Sequence, residues 1–253
     1  IDKPMVMLDY MVGNKFPVVV SDHKMGGQLA AREFINSGCK YVIHISGIRT
    51  DKNIMSYECH EELDRVLAEN GIKSRRVPVQ WNDFDFQGYF EMAKCILEEY
   101  PDVDGVFAAD MPAIAFLKAA LAIGKKIPDD LAIVAYDGTY ITNASTTRLT
   151  SIHQPYKEIA QEAVRQLMDM IDGPADDEQE DAQNATQNEG MQSGITAKGQ
   201  AGKKQPTTIL ADQTAEGQSG ITTAGQVDST RDVIKYGNVI LLPVSVEKGD
   251  TTK

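Results

Sequence analysis

Between residues 5 and 171, short apolar runs alternate regularly with longer patterned ones, and this alternation limits the chain to very few architectures. Residues 5–8 and 18–20 are apolar runs followed at once by Asp9 and by Ser21-Asp22. Such runs read as strands buried on both faces. A helix opens at Met25-Gly26-Gly27 and is closed by Gly38, and strand-like 41–45 follows. The alternation continues as helix 55–70 stopped by Gly71, strand 76–80, helix 86–100, strand 105–108, helix 112–123 stopped by Gly124, and strand 131–135. Strand-like 149–152 and a strongly patterned helix over 155–171 complete it. Short strands alternating with helices of about three to four turns predict βαβ units, an α/β class with parallel sheets covered by helices on both faces.

The pattern stops at Gly173-Pro174. Five acids occupy six positions over 176–181, followed by a long stretch rich in Gln, Gly, Thr, Ala and Ser. Within it Gln192-Ser193-Gly194-Ile195-Thr196 recurs as Gln218-Ser219-Gly220-Ile221-Thr222, a spacing of 26. Two copies are too few for a solenoid. Residues 174–237 are expected to be a low-complexity insertion that cannot bury enough apolar surface to order itself. A long β-hairpin excursion built on the two Ile-Thr elements is the alternative. An apolar strand is expected again over 238–246.

Charge narrows the function. Lys and Arg number 25 against 37 Asp and Glu, a net charge of −12. A duplex-binding surface needs clustered cations to displace phosphate counterions, so any DNA contact is expected from a part of the protein outside this stretch. Cys39, Cys59 and Cys95 form no CxxC pair, which suggests neither a disulfide framework nor a zinc site and fits a reducing cytoplasm. No apolar run is long enough to span a membrane. The start at Ile1-Asp2-Lys3-Pro4 runs almost directly into a strand and reads as the middle of a longer chain. No nucleotide-loop or hydrolase motif is present, His23, His44, His60 and His153 make no metal-ligand spacing, and neither an enzyme, a metal site nor a cofactor is expected.

Residues 4–9, then 18–20 with Asp22, Gly26-Gly27 and Leu29-Ala30-Ala31, resemble the middle of the lactose/galactose repressor (LacI/GalR) family of transcriptional regulators. Val106-Phe107-Ala108-Ala109-Asp110, the stretch GKKIPDDLAIVAYD at 124–137, Leu149-Thr150-Ser151-Ile152-His153-Gln154-Pro155, and Leu242-Pro243-Val244 with Thr251-Thr252 follow in the family's order. The resemblance implies a type I periplasmic-binding-protein-like fold: two doubly wound parallel-sheet subdomains joined by crossing strands, with a small molecule between them. It implies residues 1–38 as the remainder of an incomplete N-terminal subdomain and 39–148 as the C-terminal subdomain. Residues 149–173 would cross back to the N-terminal subdomain, and 238–253 would return to the C-terminal one. An incomplete subdomain is expected to leave apolar surface exposed.

Sugars are held by carboxylates and amides that each engage neighbouring hydroxyls, with an aromatic ring against the pyranose face. Asp9 and Asp137 end strands and match the family's effector-contacting acids, although each could instead cap the turn that follows. Asp22 and Asp110 lie within four residues of a helix start, where capping is favoured over contact; Asp110 is kept as a candidate. Trp81 and Phe84 stand where a stacking ring is expected, whereas Phe86 reads as core. Two positions depart from the family: Cys59 stands where an effector-binding Arg is usual, with Glu62 where Gly is usual, and Ala109 replaces an Asn. Arg49 or His60 are the residues that could compensate.

The resemblance therefore implies the effector-binding and dimerisation domain of a cytoplasmic sugar-responsive repressor. A small carbohydrate between the subdomains would change the DNA affinity of a helix-turn-helix head, and the complete protein would act as a homodimer without membrane contact. The alternative is a sugar-binding protein of a transport system with the same fold.

Overall fold

Parallel pairing sorts the strands into two sheets. The computed structural model describes residues 3–47, 54–79, 85–144, 146–173 and 233–253. The larger sheet has six strands in the order β10-β7-β6-β5-β3-β4. These are β3 (Tyr41–Gly47), β4 (Lys73–Val79), β5 (Gly105–Ala109), β6 (Ala132–Asp137), β7 (Thr150–His153) and β10 (Ser245–Glu247). All pairs are parallel except β10 with β7. The smaller sheet has the order β1-β2-β9-β8, from β1 (Met7–Leu8), β2 (Val18–Ser21), β9 (Val239–Leu242) and β8 (Ile234–Tyr236). Here only β8 runs antiparallel to its neighbour.

Helices cover both faces of the larger sheet. On one face, α3 (Phe86–Glu99) and α4 (Asp110–Ala122) pack against Tyr41, Ile43 and Ile45, which point one way from β3. On the other, α1 (His23–Ser37) and α2 (Glu58–Glu69) pack on Val42, Phe107, Val134 and Tyr136. The period-two alternation of β3 thus feeds two cores at once. The order β4-β3-β5 makes a switch point: the chain steps outward from β3 to β4, then returns to β5 on the other side of β3. Ligands of open α/β sheets bind outside the strand carboxyl ends at such a point.

Several boundaries differ from the expectation. Helix α1 begins at His23, because Asp22 caps it by accepting from the Met25 N–H at 2.9 Å. It packs on the larger sheet, not with β1 and β2, since Phe34, Ala30 and Ala31 find their apolar partners there. The order 1–38 as one subdomain therefore breaks at Asp22. The strand expected over 238–246 is two strands, one in each sheet, separated by Pro243, which has no N–H for a ladder. Within the expected insertion, β8 forms a hairpin with β9 through Gly237-Asn238, where Gly237 takes φ +60°. The remainder of the insertion lies outside the described residues. Helix α5 (Tyr156–Asp172) packs beside β2, with Ile159 and Ala163 against Val19 and Ile240. Val164, Met168 and Ile171 of α5, and Leu8 of β1, are exposed.

Candidate functional site

A cavity of about 350 Å³ opens where the carboxyl ends of β3, β5 and β6 meet Asp9 at the end of β1. Ile45 and Gly47 come from β3, Phe107 and Ala109 from β5, and Tyr136 and Asp137 from β6. Ile54, Ser56, Tyr57, Cys59 and His60 supply another wall from the segment that leads into α2. Backbone pairing holds that segment to the smaller sheet's end: Tyr10 bridges Ile54, and the Met55 N–H donates to the Asp9 carbonyl at 3.3 Å.

The two carboxylates sit on unusual backbone. Asp9 has φ +55° and Asp137 φ +115°, the only non-glycine residues with positive φ among those described. At Asp137 a side chain in that region is strained, and such strain concentrates at ligand sites. Gly138 continues the turn at φ +70°, and a Cβ there would collide with His153. The paired positive φ values turn the chain sharply and leave the Asp137 carboxyl at the cavity wall.

Two hydrogen-bonded chains run from the smaller sheet's strand ends to β6. In the first, Asp9 accepts from His23 Nε2 at 2.8 Å, and His23 Nδ1 lies 2.6 Å from the Tyr136 hydroxyl. A carboxylate only accepts, so Nε2 carries the proton and Nδ1 takes one from Tyr136. In the second, Ser21 Oγ donates to Gln154 Oε1 at 2.8 Å and Gln154 Nε2 donates to Asp137 at 2.8 Å. Gly26 makes room for the first chain, since a Cβ there would strike the Tyr136 ring.

Burial, with the nearby charge of Asp110, pushes the Asp137 carboxyl up to about 7, although the Gln154 bond pulls the other way. Burial also raises Asp110 and lifts the thiol of Cys59 far above its ordinary value. His60 is pushed down to about 3, chiefly by burial, so it is neutral.

The sequence candidates separate accordingly. Asp9 and Asp137 meet at one cavity. Each is also engaged at long range within the protein, Asp9 by His23 and Asp137 by Gln154. Asp110 does not line the cavity and does not cap its own helix through its side chain. It is buried, and it accepts from the Gly138 and Thr139 N–H groups and the Thr139 hydroxyl, fixing the turn that presents Asp137. Both departures from the family pattern, Cys59 and Ala109, face the cavity, while Glu62 instead accepts from Gln28 and Arg65. Trp81, Phe84 and Arg49 lie outside the described residues. Sequence reading passed over His23, Tyr57, Tyr136 and Gln154. Tyr136 and Gln154 stand inside the quoted motifs, next to or near residues that were chosen, and nothing marked them as polar contacts.

The cavity lies outside the carboxyl ends of parallel strands from two sheets, the place where open α/β folds hold ligands. Residues 31–191 match the family described as "Periplasmic binding protein-like domain". The chain is 33% identical over 171 residues to the ribose operon repressor of Halalkalibacterium halodurans, covering 67% of this chain and 50% of that protein. It is 30% identical to the sucrose operon repressor of Streptococcus mutans, covering 68% and 52%. The periplasmic binding ribose operon repressor protein from Lactobacillus acidophilus superposes with a TM-score of 0.67 at 16% identity, over 100% of this chain and 71% of that one. A LacI family regulator from Enterococcus faecalis, solved with bound ribose, gives 0.64 at 19% identity, over 98% and 68%. The chain belongs to the periplasmic binding protein-like domain family. It spans about half the length of the curated relatives it matches.

Proposed function

We propose that the full-length protein is a sugar-responsive transcriptional repressor in which this domain binds the effector. The observation that carries the reading is the cavity itself: Asp9 and Asp137 come from the strand ends of two different sheets and reach one site of monosaccharide size. Relatives named ribose and sucrose operon repressors supply the carbohydrate class. The hydroxyl pairs of a furanose or pyranose suit two carboxyl groups. Ligand contact at both would engage the Asp9–His23–Tyr136 and Ser21–Gln154–Asp137 chains and bias the geometry between the sheets. That bias would pass to a helix-turn-helix segment in a homodimer. The protein performs no chemistry on its ligand in this reading.

Isothermal titration of the full-length protein against D-ribose, sucrose, cellobiose and lactose tests the proposal. A saturable signal with at least one sugar, weakened at least tenfold by Asp9→Ala, is the expected result. No signal with any sugar, or an Asp9→Ala variant that binds as tightly as wild type, sinks it.

A further inference from the structure

Most polar groups on the described cavity wall have part of their hydrogen-bonding capacity already committed. Gln154 spends its NH₂ on Asp137 and its carbonyl on Ser21, and Tyr136 gives its proton to His23. Tyr57 bonds to Arg76, and Ser56 keeps a rotatable hydroxyl. His60 is different, because the role of its free nitrogen is decided by residues well outside the cavity.

His60 and Asp64 are four residues apart on α2 and so share a helix face. Both address His44, which is fully buried on β3. Asp64 accepts from His44 Nε2 at 2.8 Å, from Ser74 Oγ at 2.7 Å and from Arg76 at 2.8 Å. These contacts hold its carboxyl well below the usual range despite partial burial, so it is an anion that can only accept. His44 Nε2 must therefore carry a proton. Arg76 already pairs with the Asp64 carboxylate, so His44 need bring only the proton on Nε2. Its Nδ1 is then a lone pair, 3.0 Å from His60 Nδ1. One proton must lie between these two nitrogens, and only His60 can supply it. With Nδ1 of neutral His60 protonated, its Nε2 is a bare acceptor without a protein partner among the described residues, on a ring that lines the cavity. Stacking on His44 at 5.2 Å and an edge contact with Phe107 at 5.5 Å fix the ring plane.

The geometry points to His60 as a specificity-determining acceptor for one ligand hydroxyl, with His44 and Asp64 as positioning residues that lock its tautomer. This inference rests on the sugar-binding reading above, and it adds the direction of the hydrogen bond. The ligand donates to Nε2 as it does to Asp9, so the described wall favours donor-rich polyols over ligands that present an acceptor at this point.

Two readouts on the full-length protein test it. Long-range ¹H–¹⁵N spectra at mildly alkaline pH, without ligand, read the tautomer: His60 Nε2 is expected unprotonated in wild type and at least partly protonated in Asp64→Asn. Titration with D-ribose and its singly deoxygenated analogues reads the contact. Wild type should lose about tenfold in affinity when one particular hydroxyl is removed. His60→Phe should bind ribose and that analogue equally, while the ratios for the other analogues stay as in wild type. A protonated Nε2 in wild type overturns the inference, and so does a His60→Phe variant that keeps every ratio. Failure of wild type to bind any sugar overturns the function proposed above and the ligand contact with it, and the spectra still decide the tautomer.

Discussion

Asp137 is a carboxyl group kept where ionisation is costly. In the unfolded chain it ionises near pH 3.9, whereas in the folded domain it holds its proton to about 7. Between those values the folded state binds the extra proton, so this residue's contribution to stability falls as pH rises from about 4 to about 7. Above that range wild type carries the full burden of a buried anion. Asp137→Asn keeps the Gln154 bond and removes the charge. Urea denaturation above pH 7 should show its unfolding free energy raised by an amount on the order of 1–3 kcal/mol, with the gain shrinking toward pH 4. A gain that is the same at every pH would show that the carboxyl is not perturbed. His23→Phe should cost about 1–3 kcal/mol, because it strands the buried Tyr136 hydroxyl. Adding Tyr136→Phe should recover part of that loss by making both facing rings apolar. Denaturation of the two variants compares directly.

Helices α1 and α2 touch at Gly27. A Cβ there would collide with the Cys59 carbonyl oxygen and crowd Glu62 and Leu63, so the obstacle is backbone and cannot rotate away. Gly27→Ala should force the helices apart at a cost of about 1–3 kcal/mol. Under the proposed function it should also weaken sugar binding, because Cys59 and His60 on α2 form a cavity wall; thermal denaturation and titration check the two effects. The elements themselves were legible because strand runs such as 18–20 and 41–45 are apolar and end at turn residues. Helix stops such as Gly38 and Gly71 also take the left-handed backbone that glycine favours. Sheet membership was not legible. Local pattern says that 239–242 is a strand, but only the fitting of Ile240 against Val19 and Ile159 assigns it to the smaller sheet. The site was half legible for a similar reason. Asp9 and Asp137 stand at strand ends, which sequence can locate, whereas His23 and His60 act through partners such as Tyr136 and His44, far away along the chain.

The whole chain carries 12 more acids than bases, and this sets what it can meet unaided. Fluorescence anisotropy of the isolated 253-residue chain with duplex DNA at physiological salt should show no binding. A measurable affinity would place a DNA surface on this stretch. Among the described residues no helix is long and apolar enough to cross a membrane.

The pairing of Val18 with Val239 and of Ile152 with Val246 also fixes a schedule. On the ribosome, β2 leaves the exit tunnel about 220 residues ahead of its neighbour β9 and waits for it. Throughout that interval it presents an open, apolar strand edge to whatever else is nearby. The tail waits in the same way: Thr251 accepts from the Thr150 N–H and donates to the Ile133 carbonyl, so β6 and β7 are clasped only once residue 251 has been made. Translation speed through the long polar stretch between α5 and β8 therefore sets how long a half-built sheet stands exposed to chaperones and to neighbouring nascent chains.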